Sequence, residues 1–160
     1  MNELSHLDAE GRARMVDVSE KAVTRRIARA SGSLTMSEDA LNQLASGTLP
    51  KGEALAVARV AGIQAAKETA RLLPLCHPLP LDHVAIDAEL DSHLPGVRVT
   101  AEVIATARTG AEMEALVAVS GALLAIYDMA KSVDRSMTLN AIRLEKKSGG
   151  ASGTYLQEPG

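Results

Sequence analysis

The chain has 160 residues, enough for one domain that buries a core without disulfide or metal staples. Its hydrophobic share of 46% with 23% charged residues describes an ordinary globular protein. A net charge of −3 exerts no long-range pull on nucleic acid or anionic membrane, so a bound polyanion would need a local cluster of cations.

With no Phe or Trp and only Tyr127 and Tyr155 as aromatics, Ala, Leu, Val, Ile and Met must fill the core. That texture favours close approach of thin helices and sheets. It also argues against single-stranded nucleic acid as a partner, because base stacking wants aromatic platforms. Cys76 is the single cysteine, which excludes an intrachain disulfide and suits a reducing compartment. No stretch approaches 18 apolar residues without a charge, and residues 1–20 lack a basic-then-apolar leader pattern. The expectation is a cytoplasmic protein that binds neither nucleic acid nor membrane.

In chain order, residues 1–12 read as a mobile arm, before Met15-Val16-Asp17-Val18. The segment Val23 to Met36, with Arg25, Arg26 and Arg29, reads as a strand of imperfect alternation. Ser37-Glu38-Asp39 opens a short helix and Gly47 closes it. A second helix, Glu53 to Leu73, carries small residues along its faces and stops at Pro74. Two prolines make Leu75-Cys76-His77-Pro78-Leu79-Pro80 a rigid extended loop.

Val84 to Leu90 and Val97 to Val103 alternate apolar and polar residues around Ser92-His93-Leu94-Pro95-Gly96, which predicts a hairpin with one buried face. Thr109 to Ser132 is the longest helix, with Thr109 and Glu112 spaced as a capping box. A last strand, Leu139 to Lys146, leads into a glycine-rich tail, 148–160. The order β, helices, β, β, helix, β gives an α+β fold, a ferredoxin-like antiparallel sheet with helices on one face, as one domain over 1–160.

Four polar spots could carry chemistry. Lys51-Gly52-Glu53 at a helix start is either an anion site or a solvated lysine beside a turn. Cys76 and His77 point to opposite sides of an extended chain, so they make a poor nucleophile–base pair. A zinc site from Cys76, His77 and His83 fits no common spacing and lacks a fourth ligand. A stiff loop that presents His77 and its backbone edges to a ligand competes with a buried cysteine beside a rim histidine.

In Glu112-Met113-Glu114, Glu112 has a structural explanation as a cap partner, whereas Glu114 has none. Asp128 and Lys131 are neighbours on one helical face. They form either a surface ion pair contributing a few tenths of a kcal/mol or a carboxylate that tunes a lysine for proton transfer. A pure ligand-binding domain would have no use for such a pair, and a Cys76 hydrolase would not depend on it.

These stretches, with Ala61-Gly62-Ile63-Gln64-Ala65-Ala66-Lys67 and Lys147-Ser148-Gly149-Gly150, run colinearly from Met15 to Gly150. As a set they resemble the MoaC family of the molybdenum-cofactor pathway. The resemblance implies a ferredoxin-like subunit in a homohexamer built as a trimer of dimers. It implies a lyase that takes 3′,8-cyclo-7,8-dihydroguanosine 5′-triphosphate, supplied by a radical S-adenosylmethionine enzyme. Its products would be cyclic pyranopterin monophosphate and pyrophosphate.

By the same resemblance Asp128 is the principal catalytic residue and Lys131 its general acid or base. Leu75, Cys76, His77, Met113 and Glu114 match substrate-binding positions, and Lys51 and Glu112 match functionally important ones. Arg25, Arg26 and Lys147 are expected to join Lys51 in charging a phosphate pocket. No resident metal is implied; a divalent cation could accompany the triphosphate. Departures are modest: Arg108 stands where a lysine is common, Glu53 replaces a frequent aspartate, and Ala151 replaces a tail lysine.

Geometry adds one expectation. Glu114 and Asp128 lie fourteen residues apart on one helix, about 21 Å at 1.5 Å per residue. A compact ring system cannot touch both ends, so either the triphosphate spans the gap or a neighbouring subunit supplies one end. The second is favoured.

Overall fold

The computed structural model describes residues 6–157; residues 1–5 of the expected arm and 158–160 of the tail lie outside the described residues. Its elements are β1 (Thr24–Thr35), α1 (Glu38–Ser46), α2 (Ala54–Lys67), α3 (Thr69–Leu72), β2 (Leu81–Asp91), β3 (Gly96–Ala107), α4 (Glu112–Ala130), β4 (Thr138–Ser148) and β5 (Tyr155–Leu156). The strands form one antiparallel sheet in the order β2-β3-β1-β4-β5. The class is α+β, and β3 lies between β1 and β2, as a split β-α-β unit requires.

Alternation decides which face is which. Along β1, Arg26, Ala28 and Ala30 are buried while Arg25 and Arg29 are exposed; along β3, Val97, Val99, Ala101 and Val103 are buried while Arg98 and Glu102 are exposed. Helix α4 packs on β1, β3 and β4, and α2 packs on β2 and along α4. Between β1 and β4 the register shifts twice, and Ala141 takes a left-handed φ of 50° within that irregular stretch.

The helix starts and stops follow local chemistry. Ser37 Oγ accepts a hydrogen bond from the Ala40 amide at 3.2 Å, and Gly47 closes α1 at a φ of 69°. The expected continuous helix over 53–73 is broken instead. Thr69 is buried, and its hydroxyl donates to the Ala66 carbonyl at 2.9 Å, next to a turn at Glu68 that separates α2 from the short α3.

The capping box expected at Thr109 and Glu112 is not formed. Helix α4 starts at Glu112 behind a buried Ala111, with no side-chain cap. The Glu112 carboxylate folds over Gly110, where a Cβ would strike it, and pairs with Lys147 at 3.1 Å. A cation is a stronger partner for a carboxylate than a neutral backbone amide, so the ion pair wins.

At the chain's start, residues 7–13 close a tight turn: Leu7 bridges Ala13, and Asp8 pairs with Arg12 at 2.8 Å. Near its end, β5 adds two residues to the edge of β4, a strand that sequence pattern did not signal.

Helix α4 is apolar enough along its length to cross a membrane by composition, but half of it is buried within this fold. Its apolarity is that of a central helix, packed on the sheet and flanked by α2. The two helices meet through small residues. Ala54, Ala58, Gly62 and Ala66 form the buried stripe of α2, and a Cβ on Gly121 of α4 would come within 2.5 Å of the Ala65 methyl. Gly121→Ala should therefore destabilise the protein. Overpacking costs about 1–3 kcal/mol, against a helix-propensity gain of about 1 kcal/mol. Chemical denaturation of the variant beside the parent checks the sign.

Candidate active site

The polar residues singled out from the sequence gather at the two ends of α4. At its C-terminal end the Asp128 carboxylate holds two ammonium groups: Lys131 Nζ lies 2.7 Å from one oxygen and Lys51 Nζ 2.6 Å from the other. Lys131 follows from helical spacing. Lys51 comes from 77 residues away in sequence, on the loop between α1 and α2. That loop is anchored by Leu49, only 4% exposed, and turned at Gly52, whose φ of 88° favours glycine.

Hydrogen bonds from Lys131 and then Lys51 pull the Asp128 carboxyl down to about 2. Asp128 is therefore ionised throughout the neutral range and cannot donate a proton there. What it can do is fix two lysines side by side. This is more than the isolated surface pair that sequence spacing allowed, because the third member is brought by another part of the chain.

The N-terminal end of α4 faces two adjoining cavities that share Lys21, Thr109, Gly110 and Glu112 as walls. The larger, about 740 Å³, is lined by Leu75, Cys76, His77, Met113 and Glu114, with Val16 and Val18 of the N-terminal segment opposite. All five expected substrate-binding residues thus line a single cavity. The smaller, about 500 Å³, is bounded by Arg26, Arg108, Lys147 and the turn from Ser148 to Ser152.

Glu114 is 4% exposed, and burial in the cavity wall, with Glu112 nearby, pushes its carboxyl up to about 7. Burial and the neighbouring Glu114 also push the Cys76 thiol up, which opposes the thiolate that a nucleophilic cysteine needs. Cys76 and His77 both line this cavity, and the structure gives no hydrogen bond between them.

The expected phosphate cations are distributed differently from the sequence reading. Arg26 is 8% exposed and its guanidinium donates to the carbonyls of Ala107, Gly149 and Arg108 at 3.1–3.3 Å. With three of its N–H groups it fastens β1 to the turn after β4, and it also lines the smaller cavity. Gly149 and Gly150 sit at φ of 96° and 80°, and a Cβ on Gly150 would strike the Arg26 guanidinium. Arg25 points to the opposite sheet face and is exposed there. Lys51 joins Asp128 at the far end of α4. Lys147 does line the smaller cavity, paired with Glu112 and donating to Ser152 Oγ at 3.3 Å.

Lys21 lines both cavities and was not singled out from sequence. A lone lysine in an aperiodic segment gives no local signal. Within one chain, then, the cavities and the Asp128 cluster occupy opposite ends of a 19-residue helix.

The MoaC family model matches residues 15–150. A cyclic pyranopterin monophosphate synthase from a Methylobacterium species is 54% identical over 159 residues, 99% of each chain. One from Methylobacterium nodulans is 55% identical over 159 residues, again 99% of each chain. One from a Roseiflexus species is 54% identical over 158 residues, 99% of this chain and 100% of its own.

The elevated Glu114 carboxyl has a consequence for stability. The unfolded chain releases this proton near 4.5 and the folded chain near 7, so the folded state binds it more tightly. The stability that this adds is full below pH 4.5 and lost as pH rises to about 7. Glu114→Gln should flatten that window by as much as about 3 kcal/mol. Denaturation midpoints measured at both ends of the window read it directly.

Proposed function

This chain belongs to the MoaC family, and we propose that it makes cyclic pyranopterin monophosphate from 3′,8-cyclo-7,8-dihydroguanosine 5′-triphosphate with release of pyrophosphate. The observation that carries the reading is the pair of lysines on Asp128, held 2.6 Å and 2.7 Å from its two oxygens. The reaction opens and recloses rings by proton transfers, and two lysines on one ionised carboxylate are suited to give and take protons there.

The cyclic phosphate forms when a hydroxyl oxygen of the substrate bonds to the α-phosphorus as the bond from that phosphorus to the pyrophosphate oxygen breaks, the hydroxyl proton leaving to a base or to the departing pyrophosphate. The leaving pyrophosphate carries charge that cations must meet. Lys147, Lys21 and Arg108 around the smaller cavity are placed for that work. The larger cavity takes the ring system between the Leu75-Cys76-His77 loop and Met113-Glu114. Glu112 sets Lys147 at the rim between them.

Both ends of α4 must serve one substrate, so we assign each complete site to two subunits. One supplies the cavities and its neighbour the Lys51–Asp128–Lys131 cluster. A homohexamer arranged as a trimer of dimers provides such neighbours in symmetric pairs. A radical S-adenosylmethionine enzyme supplies the substrate, and the cytoplasm is where we place the reaction.

Incubating the purified protein with the cyclic nucleotide should yield pyrophosphate and, after oxidation, a fluorescent pterin. Absence of both ends this reading. Lys131→Ala should lower turnover about 10²–10⁴-fold, far more than Cys76→Ser. Hybrid oligomers of Asp128→Asn and Glu114→Gln subunits, each inactive alone, should regain about a quarter of the parent activity through sites that draw one intact half from each. Assembled hybrids that stay inactive would overturn the shared site.

A further inference from the structure

Asp134 is a buried carboxylate outside both clusters. It is 9% exposed and, among the described residues, has no salt-bridge partner. Its hydrogen bonds come from neutral groups. One oxygen accepts from the Ser136 amide at 2.8 Å and the Ser136 hydroxyl at 2.6 Å, which shapes its own turn. The other accepts from the backbone N–H of Ser37 at 2.8 Å, across 97 residues of sequence.

That second bond joins the two routes by which lysines reach Asp128. Asp134 lies three residues beyond Lys131, in a turn continuing α4: the Lys131 amide bonds the Tyr127 carbonyl at 2.9 Å, and the Asp134 amide bonds the Ala130 carbonyl at 3.1 Å. The Tyr127 hydroxyl holds the same turn from its other side through the Arg135 carbonyl at 3.0 Å. Ser37 starts α1, whose far end at Gly47 opens the loop that carries Lys51.

The start of α1 does not need Asp134 as a cap, because the Ser37 hydroxyl already satisfies the Ala40 amide. The helix between is a short rod, buried through Ala40 and Leu44, so a shift at Ser37 is passed to its other end. The Asp134 carboxyl is itself held below the usual aspartate range by the Ser136 hydroxyl and the Ser37 and Ser136 amides, so the acceptor stays ionised.

We propose that Asp134 is a positioning residue: it fastens the turn bearing Lys131 to the helix that delivers Lys51, and so sets the spacing of the two lysines on Asp128. The assignment rests on the reading that those lysines move protons. A misplacement of about 1 Å in such a group can cost on the order of 10²-fold in rate, while the substrate-binding cavities, at the other end of α4, keep their shape.

Position 37 separates the brace from the cap. Ser37→Ala loses the capping hydroxyl but keeps the N–H that Asp134 receives. Ser37→Pro loses both, and the φ of −65° at Ser37 is one that proline adopts without strain. Ser37→Ala should keep kcat within about twofold of the parent, whereas Ser37→Pro should lower kcat by about 10–100-fold with KM within about threefold. Melting temperatures of both assembled variants control for lost folding, which lowers active fraction without splitting kcat from KM.

Asp134→Asn turns one acceptor into a donor facing an N–H and should show the same selective loss of kcat; it carries the test if Ser37→Pro does not fold. Equal kcat for folded Ser37→Pro and Ser37→Ala would overturn the brace, as would losses that fall on KM. Lys131→Ala with full turnover would instead sink the proton-transfer reading on which the brace depends.

Discussion

Helix α4 sets the frame for everything else in this molecule. Its buried face, from Ala115 through Ala118, Val119, Ala122, Leu123 and Ile126 to Ala130, is pressed onto the sheet and lined by α2. A helix fixed so fully cannot bend to bring its ends together. Glu114 at one end and Asp128 at the other are therefore held apart, and each end collects its own partners from elsewhere in the chain. The separation of the cavities at one end from the paired lysines at the other follows from that rigidity.

The two ends differ in electrostatic design. At Asp128 the carboxyl is exposed and doubly paired, so it is fully ionised and acts as a counter-ion that orders two lysines. At Glu114 the carboxyl is buried and, among the described residues, has no cation against it, so the neutral acid persists to about 7. One helix thus carries two carboxylates of opposite character, and the environment of each decides which. Cys76 shares the apolar surroundings of Glu114, and its raised thiol agrees with a contact role rather than nucleophilic chemistry.

Cations are divided between backbone fastening and the cavity wall. Arg26 is one of three arginines on β1, and three of its N–H groups bond backbone carbonyls while its side chain lines the smaller cavity. That fastening holds the turn at Gly149 and Gly150, which in turn carries Lys147 to the cavity rim. Glycine is required at that turn because the Arg26 side chain lies where a Cβ would go. An arginine that bonds backbone contributes to the site by placing another cation there.

Sequence by itself determined the element order, the α+β class, the caps of α1 and the buried face of β3, because periodicity and turn residues are local signals; on β2 the same alternation buries only Ala88 and leaves Leu90 exposed. Motif resemblance, rather than any local physics, singled out Leu75, Cys76, His77, Met113 and Glu114, which the fold brings to one cavity. Tertiary structure alone decided that Lys51 meets Asp128, that Lys21 lines both cavities, that Arg26 bonds three backbone carbonyls, and that Glu112 pairs with Lys147 instead of capping its helix. The two-residue β5 and the break at Glu68 were likewise invisible in periodicity. Each of those outcomes is a competition between partners far apart in the chain, settled by which groups burial brings within hydrogen-bonding distance, and no local pattern encodes that distance.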